Sequence, residues 1–187
     1  MRTGESGMME SQGMSGSASY RLLGASSAPL PADTRVAVLV SRWNEQVTRR
    51  MLDAAVWRLR AAGLAHEAID VAWVPGSFEL PFAADRLAAS GGYAAVLCFG
   101  AIIRGETEHD RHIAQAVARG IEETARVRGL PVLFGVLTCE TLAQALARAG
   151  GTPADGFAGN KGVECAEAAL DMIALCQSLS RPSASTR

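Results

Sequence analysis

Residues 94–112 run from an unbroken apolar stretch, ending at Ile103, straight into Gly105, Thr107 and His109. Those three residue types suit work on an anion. Gly105 lets the backbone approach a ligand closely, Thr107 adds a hydroxyl, and His109 can move protons near neutral pH. A strand that opens a helix through such a turn also offers the helix's unpaired N–H groups and positive dipole end to a group such as phosphate.

The elements that must position this turn are legible on either side of it. An apolar run of this kind reads as a strand buried on both faces. Residues 35–40 form a first β-branched run, and Asn44 can cap a helix in which Val47, Met51, Ala55 and Leu59 recur at helical spacing until Gly63. A second strand is expected at residues 69–74, stopped by Pro75 and Gly76, then a helix with Pro81 in its first turn that ends near Ser90. The helix after the central strand is expected over 109–128, a fourth strand over 132–137, and a short helix to Arg148 opened by a Thr141/Gln144 capping box. A glycine-rich loop, 150–159, leads to a last helix over 161–179. Strands and helices alternate with short connections, which predicts an α/β, three-layer sandwich: a four-stranded parallel sheet flanked by helices on both faces.

Composition limits the alternatives. The chain has 187 residues, enough for one domain, with 49% hydrophobic and 20% charged residues. A formal net charge of -1 gives no bias toward nucleic acid or an acidic membrane, and neither is expected as a partner. Cys98, Cys139, Cys165 and Cys176 form no CxxC pair and have no histidine at ligand spacing. They read as small apolar residues of a reducing cytoplasm, with no metal site. Residues 1–33 are rich in Gly, Ser and Met without apolar periodicity, so a disordered extension is expected before a domain over 34–179, and a flexible tail over 180–187. The extension resembles neither a signal peptide nor a mitochondrial presequence.

In open parallel sheets ligands bind outside the carboxyl ends of the strands. That rule gathers Trp43 and Asn44 after the first strand, Ser77, Phe78 and Glu79 after the second, and residues 105–109 after the third. Thr138 and Cys139 follow the fourth. Two aromatics, a carboxylate, an anion-binding turn and a histidine suit a flat polar heterocycle and a phosphorylated partner. Each residue also has a plainer reading. Trp43 can pack on its helix, Phe78 can be core, Gly105 a mere turn, His109 a helix-start residue and Glu79 a complement to a helix N-terminus. GxGxxG and GxxxxGK[ST] are both absent, against the common dinucleotide and nucleoside-triphosphate sites.

Five ordered segments carry a resemblance: residues 42–44 (Arg-Trp-Asn), 74–81 (Val-Pro-Gly-Ser-Phe-Glu-Leu-Pro), 100–109, 131–138 and 159–162 (Gly-Asn-Lys-Gly). Together they closely resemble the 6,7-dimethyl-8-ribityllumazine synthase family of riboflavin biosynthesis, over roughly residues 36–175. The resemblance implies the family's flavodoxin-like fold, and condensation of 5-amino-6-(D-ribitylamino)uracil with 3,4-dihydroxy-2-butanone 4-phosphate without any cofactor. It implies that Trp43 stacks on the pyrimidine beside Asn44. Ser77, Phe78 and Glu79 would line the ribityl pocket, and Ala101, Ile102 and Ile103 would complete the substrate site. Gly105, Glu106 and Thr107 would hold phosphate with Arg148, and His109 would transfer protons. Phe134 matches an aromatic contributed by a neighbouring subunit, and Lys161 matches the motif lysine near the site.

Two departures from the family pattern stand out. After the histidine the family usually has an aromatic and an acidic residue, whereas here the run is Asp110-Arg111-His112-Ile113-Ala114-Gln115-Ala116. Asp110 or Arg111 could alter the protonation of His109, and His112 is an alternative residue to face substrate, which helical geometry disfavours. A catalytically weakened paralogue that binds flavin or lumazine is therefore the alternative function. The loop at 150–159 is also longer than the family's short form, which implies a homo-oligomer that is a pentamer or a pair of pentamers in place of a sixty-subunit shell.

Overall fold

Every residue of β1 (Val36–Ser41) is buried, as the central position of a doubly covered sheet requires. Its side chains alternate: Val36, Val38 and Val40 enter one core cluster, Ala37 and Leu39 the other. The computed structural model describes residues 23–24 and 30–180. Most of the extension expected over 1–33, and nearly all of the tail expected over 180–187, lie outside the described residues.

β2 (Ile69–Val74) and β3 (Ala95–Ile103) flank β1, and β4 (Val132–Cys139) lies beyond β3, giving the order β2-β1-β3-β4. All three pairings are parallel. Helices α1 (Glu45–Ala61), α4 (Leu142–Arg148) and α5 (Lys161–Ser180) cover one face through Met51, Leu59, Ala145, Ala169 and Ile173. Helices α2 (Leu80–Ala89) and α3 (His109–Arg128) cover the other through Leu80, Ala84, Val117 and Ile121. This is the expected α/β sandwich. Because β2 and β3 lie on opposite sides of β1, and α1 and α3 on opposite faces, a crevice opens at the carboxyl ends of β1 and β3.

Two local expectations are corrected. Thr138 and Cys139 do not follow the fourth strand but end it, since β3 is long enough to keep pairing with them, Ile102 with Thr138 and Ile103 with Cys139. Asn44 occupies the position before α1, but its side chain makes no capping bond there. The Thr141/Gln144 capping box forms as expected, with Gln144 N donating to Thr141 Oγ1 at 3.2 Å. All four thiols are free, and burial pushes that of Cys165 up to about 11, consistent with an inert packing role.

The edge of the sheet opposite the crevice is tied by Asp70, which accepts from Arg35 Nη2 at 2.6 Å and Tyr93 Oη at 2.8 Å. Those bonds, that of Tyr93 foremost, hold the Asp70 pKa below the ordinary carboxylate value. Asp85, bonded twice by Arg128, and Asp155, bonded by the backbone of Thr152 and Phe157, are lowered likewise. Folded pKa values below unfolded ones stabilise fully above about pH 4, and that stabilisation is lost as pH falls through the folded values. Urea midpoints should therefore decline from about pH 4 downward, and less steeply in Asp70→Asn. A flat profile down to pH 2.5 would contradict these assignments.

Candidate active site at the carboxyl edge of the sheet

The turn after β1 is fixed from three sides before any ligand is considered. Thr48 Oγ1 donates to Ser41 O at 2.7 Å, and Arg42 N and Trp43 N donate to Val74 O and Pro75 O at 2.9 and 3.2 Å, joining this turn to the one after β2. Asn44 adopts a left-handed backbone, φ 60 and ψ 40, and its Nδ2 donates to Ala101 O at 2.8 Å, linking the turn to the end of β3. Removing that side chain leaves a carbonyl without its donor, at about 1 kcal/mol, and alanine at positive φ adds about 1 kcal/mol. Asn44→Ala is thus expected to lose about 2 kcal/mol in urea unfolding and Asn44→Gly about half as much. Equal losses would remove the backbone contribution.

The turn after β2 folds into a short 3₁₀ segment, Ser77–Glu79, leading into α2. Glu79 Oε2 accepts from Gly76 N at 2.8 Å, so part of its plainer reading is correct, and Glu79 also lines the cavity. After β3, Arg104 N donates to Cys139 O at 2.9 Å, and Thr107 Oγ1 accepts from His109 N at 3.4 Å in the first turn of α3.

These three turns enclose a cavity of about 560 Å³. Trp43, Asn44, Ser77, Phe78, Glu79, Ala101, Ile102, Ile103, Gly105, Thr107 and His109 all line it, joined by Pro75, Gly76, Asp110 and Ile113. Trp43 is 75% exposed and Phe78 60%, so neither packs into the core as its plainer reading had it, and both line the cavity. His112 does not line the cavity, but Ile113, one helical turn after His109, does. That i, i+4 spacing was the signal by which Ile113 could have been found.

The ionisable lining consists of Glu79, Asp110 and His109, without a lysine or arginine. The guanidiniums of Arg42, in the first turn, and Arg49, on α1, lie over the Trp73 ring at 5.5 and 4.8 Å. Four sequence-derived candidates do not line the cavity. Glu106 is exposed in the turn after β3, and Phe134 lies on the edge strand β4, 40% exposed. Arg148 and Lys161 sit at the junction of α4 and α5, where Glu164 holds both: Arg148 Nη2 is 2.6 Å and Lys161 Nζ 3.2 Å from its carboxylate. Arg148 Nη1 also donates to Gly159 O at 2.7 Å. Burial opposes charge on Glu164, yet the bonds from Arg148 and Lys161 outweigh it and lower its pKa. The sequence reading missed Glu164, although its position three residues after Lys161 on one helix was a visible signal.

Among the described residues no cluster of three His, Cys, Asp or Glu side chains is arranged to hold a metal ion, and no helix is long and apolar enough to cross a membrane. The fold and cavity define an α/β protein with a cavity at the switch point of a parallel sheet, where ligands of such sheets bind. Residues 33–177 match the family model of 6,7-dimethyl-8-ribityllumazine synthase, and the chain belongs to that family. The family indicates a lumazine synthase-type function in riboflavin biosynthesis, acting on small molecules, and its members are generally oligomeric.

Proposed function

We propose that the protein condenses 5-amino-6-(D-ribitylamino)uracil with 3,4-dihydroxy-2-butanone 4-phosphate to 6,7-dimethyl-8-ribityllumazine, releasing phosphate and two waters. The observation that carries this reading is the cavity itself. Two exposed aromatics and a carboxylate line it together with the start of α3 and His109, a lining suited to a heterocycle with a polyol chain beside a phosphorylated four-carbon partner.

In this reading the pyrimidine stacks on Trp43 and its ribityl hydroxyls donate to Glu79. The free amine attacks the ketone, and loss of water gives an imine. Phosphate then leaves, and ring closure through the ribitylamino nitrogen expels the second water. Each step moves a proton, which an imidazole at His109 can carry. Holding two substrates in register supplies much of the acceleration.

A departing phosphate needs positive charge, and the cavity of one chain has two carboxylates and no Lys or Arg. Arg148 and Lys161, with Phe134, are therefore assigned to the site of an adjacent subunit in a cyclic homo-oligomer, where a head-to-tail interface repeats the same pairing around the ring. The long loop at 150–159 favours a pentamer or a pair of pentamers. A particle near sixty chains in light scattering would overturn that assignment.

One observation favours the alternative, a weakened relative that binds flavin or lumazine: Asp110 lines the cavity next to His109. Mixing the purified protein with both substrates and following lumazine fluorescence separates the two readings. Product well above the uncatalysed background supports the synthase. Absence of product from an assembled protein that binds riboflavin supports the relative.

A further inference from the structure

The loop between α4 and α5 is built more firmly than a surface connection requires. Its middle folds into a 3₁₀ turn, Pro153–Asp155, and Asp155 Oδ1 accepts from Thr152 N at 2.8 Å and Phe157 N at 2.9 Å. Phe157 N also donates to Thr152 O at 2.8 Å. Gly151, at φ +85, passes so close that a Cβ there would lie 2.7 Å from Phe157 Cα. The loop is thereby closed on itself, and Phe157 is left at φ 54, a left-handed conformation that a bulky residue seldom adopts. Such an outlier persists only where its surroundings over-determine it.

The bonds from Asp155 and Thr152 fix its backbone, and its ring lies against Trp57 on α1. The two rings meet edge to face, with centroids 5.5 Å apart and planes at 63°. From Phe157 the contacts run straight to the cationic cluster. Asn160 N donates to Phe157 O at 2.9 Å, and the buried Asn160 side chain bridges Gly150 O at 2.7 Å and Gly162 N at 2.8 Å. Between Phe157 and Asn160 lies Gly159, whose carbonyl receives Arg148 Nη1.

We propose that this loop is a brace for Arg148: Phe157, wedged against Trp57, fixes the Gly159 carbonyl and with it the direction in which the guanidinium is presented to a phosphorylated ligand. Glu164 grips one end of the guanidinium and Gly159 the other, so releasing Gly159 leaves the charge in place but frees its aim. Phe157 and Trp57 are positioning residues that touch no substrate. The inference rests on the assignment of Arg148 to phosphate made above.

Two probes test it, inorganic phosphate binding by calorimetry and steady-state kinetics of the assembled protein. Phe157→Ala should weaken phosphate binding and raise the KM for the phosphorylated substrate by about 10-fold, leave the KM for the pyrimidine unchanged, and add nothing in an Arg148→Ala background. Trp57→Leu should give the same signature from α1, and Phe157→Tyr, which keeps the ring, should restore wild-type values. The brace is overturned if Phe157→Ala and Trp57→Leu leave phosphate binding unchanged, if both KM values and kcat move together, or if the loss persists without Arg148. Should Arg148→Ala itself leave phosphate binding intact, the assignment of Arg148 falls and the brace with it. Should phosphate binding fall in all three variants while no lumazine forms, the brace stands and the reaction assignment fails.

Discussion

Subunits carrying His109→Ala and subunits carrying Arg148→Ala, each impaired alone, are expected to recover activity when they assemble together. Within one chain His109 lines the cavity, whereas Arg148 is tied to Glu164 and Gly159 at the end of α4 and contributes nothing to that lining. If the site joins His109 of one subunit to Arg148 of its neighbour, random one-to-one mixing gives both intact residues to about a quarter of the sites. Activity should then approach a quarter of the wild-type value. A site made from one chain predicts no recovery, because no chain in the mixture carries both residues.

The two parents should fail in different ways. His109→Ala removes proton transfer and is expected to lower kcat by roughly 10²-fold, with activity left because the substrates are still held in register. Arg148→Ala removes charge-assisted bonds worth about 2–3 kcal/mol, or roughly 10²-fold in kcat/KM for the phosphorylated substrate. A simple loss of pyrimidine affinity in Arg148→Ala would contradict its role. Glu164→Gln should resemble a mild form of Arg148→Ala, since it removes the carboxylate that holds both cations and leaves them in the chain.

Most of the fold could be read from the chain because its signals are local. The apolar run ending at Ile103, the Pro75-Gly76 stop and the Thr141/Gln144 box each report on neighbours within a few residues. The cavity followed from one further step, the rule that ligands meet a parallel sheet at its carboxyl edge. What escaped was settled by distant partners. Asn44 looks like a helix cap, but its bond goes to Ala101, 57 residues away, and a tertiary acceptor outweighs the local preference. Thr138 and Cys139 lie beyond the apolar run of the fourth strand, and pairing with the long β3 keeps them in the sheet. For Arg148 and Lys161 the motif identifies the residue types, but their joint hold by Glu164 and their place outside the cavity of one chain depend on how α4 and α5 meet.

Gly162→Ala is expected to destabilise the protein by about 3 kcal/mol and to lower its melting temperature by roughly 10 °C. From the sequence Gly162 belongs to the Asn-Lys-Gly segment and reads as part of a site motif. In the fold it is where α5 crosses α1: a Cβ at this position would collide with the Met51 carbonyl oxygen and stand 2.7 Å from its carbon. Helix propensity alone predicts the opposite sign, since alanine inside a helix is favoured over glycine by about 1 kcal/mol. The collision wins because the atom it meets is backbone, which cannot rotate aside as a side chain would, so the two helices must separate. That displacement has a functional consequence, because α5 carries Lys161 and Glu164, and Glu164 holds Arg148. Activity of Gly162→Ala should therefore fall even at temperatures where circular dichroism shows the protein fully folded, with the loss concentrated in the use of the phosphorylated substrate. A melting temperature raised by the substitution would mean that α1 and α5 have room to spare, and would remove the close helix contact as the reason for glycine at this position.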